Sequence, residues 1–372
     1  MTPTPQNSWA DLFAPPEGQG QAKRVEVLLL RKGGRPLLLL PRQPRLAAAT
    51  MDLYPAQTPR ARAARAILRW LLRASLPFGT EKAALAITPA DPLLRFLQSL
   101  AGEAAPALPA LGILAGNPMS DGQRFLLLVF DTAQKPAAVV KAGLTQRARA
   151  LLEHEEAFLA AVPANTTAVP RLRAQFVSPR LRALALDFFP GDSPRPRDEP
   201  ALPALLASWV DPKRSLRLSD APDWTRLENA APANGLLSVL AAQLRPRTVH
   251  PAIHHGDFAP WNIKVSPAGG WTVLDWERGE LDGLPGWDWF HYVIQSGILV
   301  GRRPTSALVE RVERLLGSEA FRQYAARGNI LGCERELVLA YLLHVVEVIK
   351  PSEGLAATRE LLKALAARWA KA

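Results

Sequence analysis

The chain has 372 residues, 48% of them hydrophobic, a single cysteine and a formal net charge of +11. That length holds two or three lobes with a sizeable core, and the lone Cys333 excludes an intramolecular disulfide and fits a reducing compartment. No apolar run reaches the ~20 residues of a membrane-spanning helix, and the N-terminal MTPTPQNSWADLFAPPEG lacks a signal peptide's basic start and apolar core, so a soluble cytoplasmic protein is expected. The charge favours acidic partners, although an arginine-rich solvated surface accounts for it equally well.

Residues 1–22 are rich in Pro, Gly, Gln and Ser and read as a flexible tail. Two apolar runs, 25–30 and 37–40, flank Arg31-Lys32-Gly33-Gly34-Arg35-Pro36 and predict a β-hairpin. Over 59–75, Ile67, Leu68, Leu71 and Leu72 recur at helical spacing, and Arg62, Arg65, Arg69 and Arg73 share one face of that helix. A Pro/Ala/Leu segment follows over 87–110, with a short helix at 93–100.

From residue 111 the pattern is strand, a turn from Gly116 to Gly122, a second strand at 125–130, a turn, and a third strand at 137–141 that ends on Lys141. A helix at 145–161 carries Glu153, Glu155 and Glu156. The strand 183–188 runs into Phe189-Pro190-Gly191-Asp192, and 192–235 mixes Pro, Asp, Ser and Arg. Beyond residue 277 the chain reads as all helical, over 289–299, 306–316, 318–327, 334–349 and 355 to the end. Ser318 is the expected N-cap of the third, and Pro351 and Gly354 separate the last two.

The segment 255–277, HGDFAPWNIKVSPAGGWTVLDWE, is the most informative. It places His255, Asp257, Asn262 and Asp275 in the order that phosphoryl transfer from a nucleotide requires. Such a site needs one carboxylate to orient or deprotonate the acceptor hydroxyl. It also needs an amide oxygen and a second carboxylate to hold Mg²⁺ against the phosphates. Asp and Asn also favour ordinary turns, but the neighbouring His255-Gly256 and Asp275-Trp276-Glu277 argue for function. His250 and His254 have H-x-x-x-H spacing, yet Pro251 lies between them and no cysteine completes a zinc site. Trp276, after Asp275, is expected to pack beneath the loop.

These motifs resemble those of the aminoglycoside phosphotransferase and choline kinase-like small-molecule kinases, which have an H-G-D-x-x-x-x-N loop followed by D-W-E or a close variant. The resemblance implies an α+β, protein-kinase-like two-lobe fold, with a small β-sheet N-lobe, a mainly helical C-lobe and an extra N-terminal α/β segment. It implies boundaries of 1–22 for the tail, 23–105 for an accessory segment, 106–190 for the nucleotide-binding lobe and 191–372 for the C-lobe. By the same resemblance Asp257 is the base, His255 a catalytic-loop residue that braces the loop, and Asn262 and Asp275 the metal ligands. Lys141 contacts the nucleotide phosphates and pairs with Glu155, Gly116 belongs to the turn that covers them, and backbone near Asp187 and Phe188 meets the base of the nucleotide. Asp288, in Gly283-Leu284-Pro285-Gly286-Trp287-Asp288, is expected to brace the loop. Cofactor and co-substrate are then Mg²⁺ and ATP or GTP, and the partner is a small-molecule hydroxyl acceptor, a sugar-type hydroxyl suiting a basic protein best. Two further readings are a non-catalytic kinase-like regulatory protein, which the intact residue set disfavours, and a kinase whose basic N-terminal helix binds an anionic ligand or membrane surface. Nucleic acid is the weaker partner, since no aromatic ladder accompanies the arginines.

Overall fold

The computed structural model describes residues 9–13, 23–76, 78–88, 90–102, 109–116, 122–231 and 235–370. Most of the expected tail, and residues 117–121 of the expected phosphate-covering turn, lie outside the described residues. The chain forms two compact units: Met1–Ala160 with Pro170–Pro190, and Ala161–Val169 with Gly191–Ala372.

The first unit is built on an antiparallel sheet. Its strands are β1 (Lys23–Lys32), β2 (Arg35–Pro41), β3 (Thr80–Ile87), β4 (Leu111–Leu114), β5 (Arg124–Phe130), β6 (Pro136–Gly143), β7 (Leu172–Val177) and β8 (Arg182–Asp187), in the order β3-β1-β2-β4-β5-β6-β8-β7. Gly33 and Gly34, with φ of 58° and 77°, close the β1–β2 hairpin, because a two-residue hairpin turn with positive φ at both positions matches the strand twist. The hairpin joins the rest of the sheet through β2 and β4, with Leu38 opposite Leu114 and Leu39 opposite Ile113.

Four helices cover this sheet: α1 (Pro44–Thr50), α2 (Pro59–Arg73), α3 (Pro92–Ala101) and α4 (Gln146–Ala161). Successive strand residues point to opposite faces. Leu39, Leu127 and Val140 therefore enter one core with Leu94 and Leu97 of α3. Leu38, Leu40 and Leu128 enter the other with Leu46 of α1 and Leu72 of α2. Burial on both faces explains why 37–40 reads as an unbroken leucine run rather than an alternation.

Helix α2 starts where the sequence predicts, with the Thr58 hydroxyl accepting from the Ala61 N–H at 3.1 Å and Pro59 in its first turn. Three of its arginines turn inward, onto the chain itself. Arg62 donates to the Gln57 carbonyl at 3.1 Å, Arg65 to the Tyr54 carbonyl at 3.3 Å, and Arg69 pairs with Asp52. The exposed face carries Ile67 and Trp70 instead, with relative exposures of 60% and 65%. Ser75, at φ 61°, turns the chain back, and the Leu76 N–H donates to the Leu71 carbonyl at 2.9 Å. This capping pattern stops the helix and leaves Leu76 and Phe78 exposed beside it.

The second unit is mainly helical. Its helices are α5 (Leu202–Ser208), α6 (Pro222–Ala230), α7 (Gly235–Leu244), α8 (Trp287–Gln295), α9 (Thr305–Leu316), α10 (Glu319–Arg327), α11 (Glu334–His344) and α12 (Leu355–Trp369). Ser318 caps α10, accepting from the Phe321 N–H at 3.2 Å. Three short pairs complete the unit: β9 (Leu216–Arg217) with β10 (Thr248–Val249), β11 (Ala252–His254) with β14 (Glu280–Gly283), and β12 (Ile263–Val265) with β13 (Trp271–Val273). Strand β14 departs from the all-helical expectation after residue 277. Its four residues are too few for a readable period, and pairing with β11 decides their conformation. No helix among the described residues is long and apolar enough to cross a membrane.

Candidate active site

In the first unit, β6 presents Lys141 and α4 presents Glu155. The lysine Nζ lies 2.5 Å from Glu155 Oε1, and both side chains are buried. Three acids on α4 compete for this role in the sequence, and the geometry separates them. Glu156 and Glu153 are 2.8 and 3.5 Å from Arg182 on β8. A strand lysine held by a glutamate of the following helix is the arrangement of a protein-kinase nucleotide lobe. Gly116 follows β4 after Ala115, where a Cβ would stand 2.1 Å from the Arg124 carbonyl oxygen. Asp187 ends β8 with its carboxylate exposed and 4.0 Å from Arg173. The Phe188 ring packs on the sheet core.

In the second unit, the loop 255–262 joins β11 to β12, and the loop 274–279 joins β13 to β14. Pairing of β11 with β14 and of β12 with β13 brings the two loops together. The Leu274 N–H donates to the Asn262 carbonyl at 2.7 Å, so Asp275 follows a residue tied directly to Asn262. Asp275 has φ 72°, a left-handed conformation that Asp tolerates better than most residues and that collects at functional sites.

His255 fastens the two loops. Its Nδ1 accepts from the Asp257 N–H at 3.2 Å, which leaves Nε2 to donate to the Leu274 carbonyl at 2.8 Å. One nitrogen accepts, so the ring is neutral. Complete burial drives its pKa down, against the nearby carboxylates. Both ring nitrogens are thus engaged within the protein. Trp276 packs edge-on against it, with centroids 4.6 Å apart. Gly256, at φ 76°, admits no side chain, since a Cβ would lie 2.8 Å from the Arg278 Cβ.

Asp288, at the start of α8, receives the loop backbone. Its Oδ2 accepts from the His255 N–H at 2.7 Å and its Oδ1 from the Gly256 N–H at 3.2 Å. Behind it lies a buried group to which the sequence assigns no role. His254 Nδ1 is 2.6 Å from Asp223 of α6, and its Nε2 is 3.4 Å from Asp288. Burial would lower the His254 pKa, but the carboxylates of Asp223 and Asp288 lift it to about 9. Burial would raise Asp223, but the His254 charge and hydrogen bond hold it below the ordinary carboxylate range. His344 of α11, 3.6 Å from Asp223, is pushed by burial down to about 4. The sequence signal for this group is faint: His254 merely precedes the motif, and Asp223 sits in a stretch rich in Pro, Asp, Ser and Arg with only scattered helix signals.

Asp257 is the partly buried carboxylate at the centre. Asn262 Nδ2 donates to its Oδ2 at 2.8 Å and to its backbone oxygen at 2.9 Å. His291 Nε2 lies 3.0 Å from Oδ1. Burial would raise its pKa, but the contact with His291 brings it below the usual value. Because the Asn262 NH₂ is directed to Asp257, its amide oxygen is the atom left for a cation. Asn262 and Asp275 each carry a side-chain oxygen of the hard type that Mg²⁺ takes.

No family profile matches the chain, and no curated protein does. Among solved structures, it is similar to a Haemophilus somnus 129PT protein assigned as a fructosamine-3-kinase, with 15% identity over 73% of this chain and 96% of that one and a TM-score of 0.44. It is similar to choline kinase from Cryptosporidium parvum Iowa II, at 7% identity, 75% and 95% coverage and a TM-score of 0.46. It is also similar to aminoglycoside phosphotransferase APH(3'')-Id from Streptomyces rimosus ATCC10970, at 16% identity, 59% and 88% coverage and a TM-score of 0.37. In the order of its motifs and in the arrangement of Lys141 with Glu155 and of Asp257 with Asn262, the chain resembles the aminoglycoside phosphotransferase and choline kinase-like small-molecule kinases.

Proposed function

We propose that this protein is a phosphotransferase that moves the γ-phosphate of ATP or GTP to a hydroxyl of a small molecule in the cytoplasm. The observation that carries this reading is the Asn262 amide, fixed by its two hydrogen bonds to Asp257. It sets a carboxylate for the acceptor and an oxygen for a metal within one short loop. In this mechanism Asp257 accepts or orients the proton of the acceptor hydroxyl. Asn262 and Asp275 hold Mg²⁺, which neutralises charge on the transferring phosphate. Lys141, positioned by Glu155, grips the nucleotide phosphates. Gly116 belongs to the covering turn, and backbone at Asp187 and Phe188 meets the nucleotide base. Residues 23–105 form an accessory segment on the nucleotide lobe. Most of the acceleration comes from positioning, with the base adding about 10²–10⁴-fold.

The test is a screen of hydroxyl-bearing metabolites, sugars first, with Mg-ATP and Mg-GTP, followed by ³¹P NMR of the products. A phosphorylated acceptor that disappears in Asp257→Asn supports the reading. Nucleotide binding without transfer to any acceptor favours the regulatory alternative, and failure to bind nucleotide at all removes both.

A second reading concerns α2. It exposes Ile67 and Trp70, with Leu76 and Phe78 exposed beyond the helix end, and Arg60 and Arg73 are exposed as well. Trp and Arg at such a face suit an anionic lipid surface. Sedimentation with anionic vesicles that Trp70→Ser and Phe78→Ser together do not reduce counts against it.

A further inference from the structure

Helix α8 faces the loop 255–262 with more than Asp288. His291 lies one turn on, at the i+3 position that shares a helix face with residue 288. Asp288 holds the backbone of His255 and Gly256, and His291 meets the side chain of Asp257 at 3.0 Å. The other ring nitrogen is 3.1 Å from the hydroxyl of Tyr341 on α11. All three residues belong to the second unit.

The polarity of this chain of contacts follows from the groups. An ionised carboxylate only accepts hydrogen bonds, so Nε2 carries the proton that faces Asp257. In the neutral ring Nδ1 then accepts from the Tyr341 hydroxyl. Burial pushes the Tyr341 phenol far above its ordinary range, so that proton stays in place. Tyr341 thereby selects the tautomer, as hydrogen bonding at one ring nitrogen generally does for the other. The approach of Nε2 to Oδ1 is bent, as contacts to a catalytic base commonly are before substrate binds.

Asn262 holds one oxygen of Asp257. We propose that His291, with its tautomer set by Tyr341, is the positioning residue for the other, and so fixes the plane in which Asp257 meets the acceptor hydroxyl. The inference rests on the phosphotransferase reading. His291 touches neither of the residues assigned to metal nor, in this role, the nucleotide. A buried histidine that merely fills the core would be replaceable by leucine. A positioning donor would not.

Three variants separate these roles. Glutamine at this position carries an NH₂ near the place of Nε2, whereas leucine carries volume alone. In the acceptor screen's best reaction, His291→Leu is expected to lower kcat about 10- to 100-fold and leave the nucleotide KM unchanged. His291→Gln should recover much of the loss, and Tyr341→Phe should give a smaller one. Equal kcat in the leucine variant and the wild type, with transfer intact, overturns the inference and leaves the proposed function standing. A wild type without transfer overturns the function, and a second readout still decides the contact. ¹⁵N NMR of the His291 ring, in the protein with Asp257→Asn and with Tyr341→Phe, is expected to show both ring nitrogens shifted. Signals that ignore both substitutions refute the contact whatever the activity.

Discussion

The side-chain amide of Asn262 donates to Asp257 twice, at 2.9 Å to its backbone oxygen and 2.8 Å to its carboxylate. The proposed base and a proposed metal ligand are therefore one mechanical object, and their variants should fail in distinguishable ways. Asp257→Ala is expected to abolish transfer while Mg-nucleotide affinity stays near wild type. Asp275→Ala should lose both. Asn262→Ala should weaken Mg-nucleotide binding and also free the Asp257 carboxylate, so its kcat falls further than its affinity accounts for. Isothermal titration with a non-hydrolysable Mg-nucleotide, beside steady-state kinetics, resolves the three. Wild-type turnover in both aspartate variants would end the assignment.

Lys141 and Glu155 are both buried, so removing the cation alone takes this counter-charge from a buried carboxylate. That class of change costs about 3–5 kcal/mol. Lys141→Ala should therefore lower both the melting temperature and nucleotide affinity. The double variant Lys141→Met/Glu155→Leu should regain stability without regaining affinity, since an apolar pair fills the space but grips no phosphate. Lys141→Arg should restore neither property fully, because a planar fork does not replace a point charge. A double variant that binds nucleotide normally would place the phosphate lysine elsewhere.

His254 gives the fold a pH dependence whose sign is fixed. Its folded pKa, about 9, lies above its ordinary 6.5. The stabilisation is complete below pH 6.5 and is lost as pH rises through 9, a span worth roughly 3 kcal/mol at most. The groups around it are Asp223, Asp288, Arg226 and His344. Asp223 is ionised throughout this window, and His344, held near 4 in the fold, is neutral throughout. The urea midpoint of the wild type should fall from about pH 6.5 to 9, and that of His254→Gln should fall much less. Parallel curves would refute the pairing.

Gly256 is expected to tolerate no side chain. Its φ of 76° is strained for any L-residue, and a Cβ would meet the Arg278 Cβ at 2.8 Å and its carbonyl oxygen at 3.0 Å. Gly256→Ala should cost about 1–3 kcal/mol of stability. It should also cost more activity than that figure suggests, because the displaced backbone carries Asp257. Chemical denaturation and kcat on the same preparation test this, and an alanine variant with full turnover would contradict the geometry.

The sequence makes legible those parts of the molecule in which chemistry and pattern coincide. Lys141 is readable because an apolar run, Ala137 to Val140, leads into it, although β6 continues to Gly143, and Ser318 because a cap has a mechanism that needs only local chain. The loop 255–262 is readable because His255, Asp257 and Asn262 are polar, closely spaced and expensive to keep without a purpose. The Asp223–His254 pair is not, since its members are 31 positions apart and only tertiary packing unites them. His291 and Tyr341 hide in apolar helices for the same reason. The arginines of α2 mislead for a different one. Their spacing places them on a common face, but whether that face meets solvent or the carbonyls of Tyr54 and Gln57 is settled by tertiary contacts.

The seam between β2 and β4 has a consequence for how this chain can be cut. Leu38 and Leu39 occupy the open side of β4, and the Leu37 carbonyl accepts from the Ala115 N–H at 2.9 Å. A chain begun at residue 106 would keep every group assigned to catalysis, yet it would bare a row of unsatisfied amides and carbonyls along an apolar strand. Such an edge is a template for pairing with other copies. The shortened protein is thus expected to self-associate rather than work as a minimal enzyme, and size-exclusion chromatography of the two lengths side by side would show it.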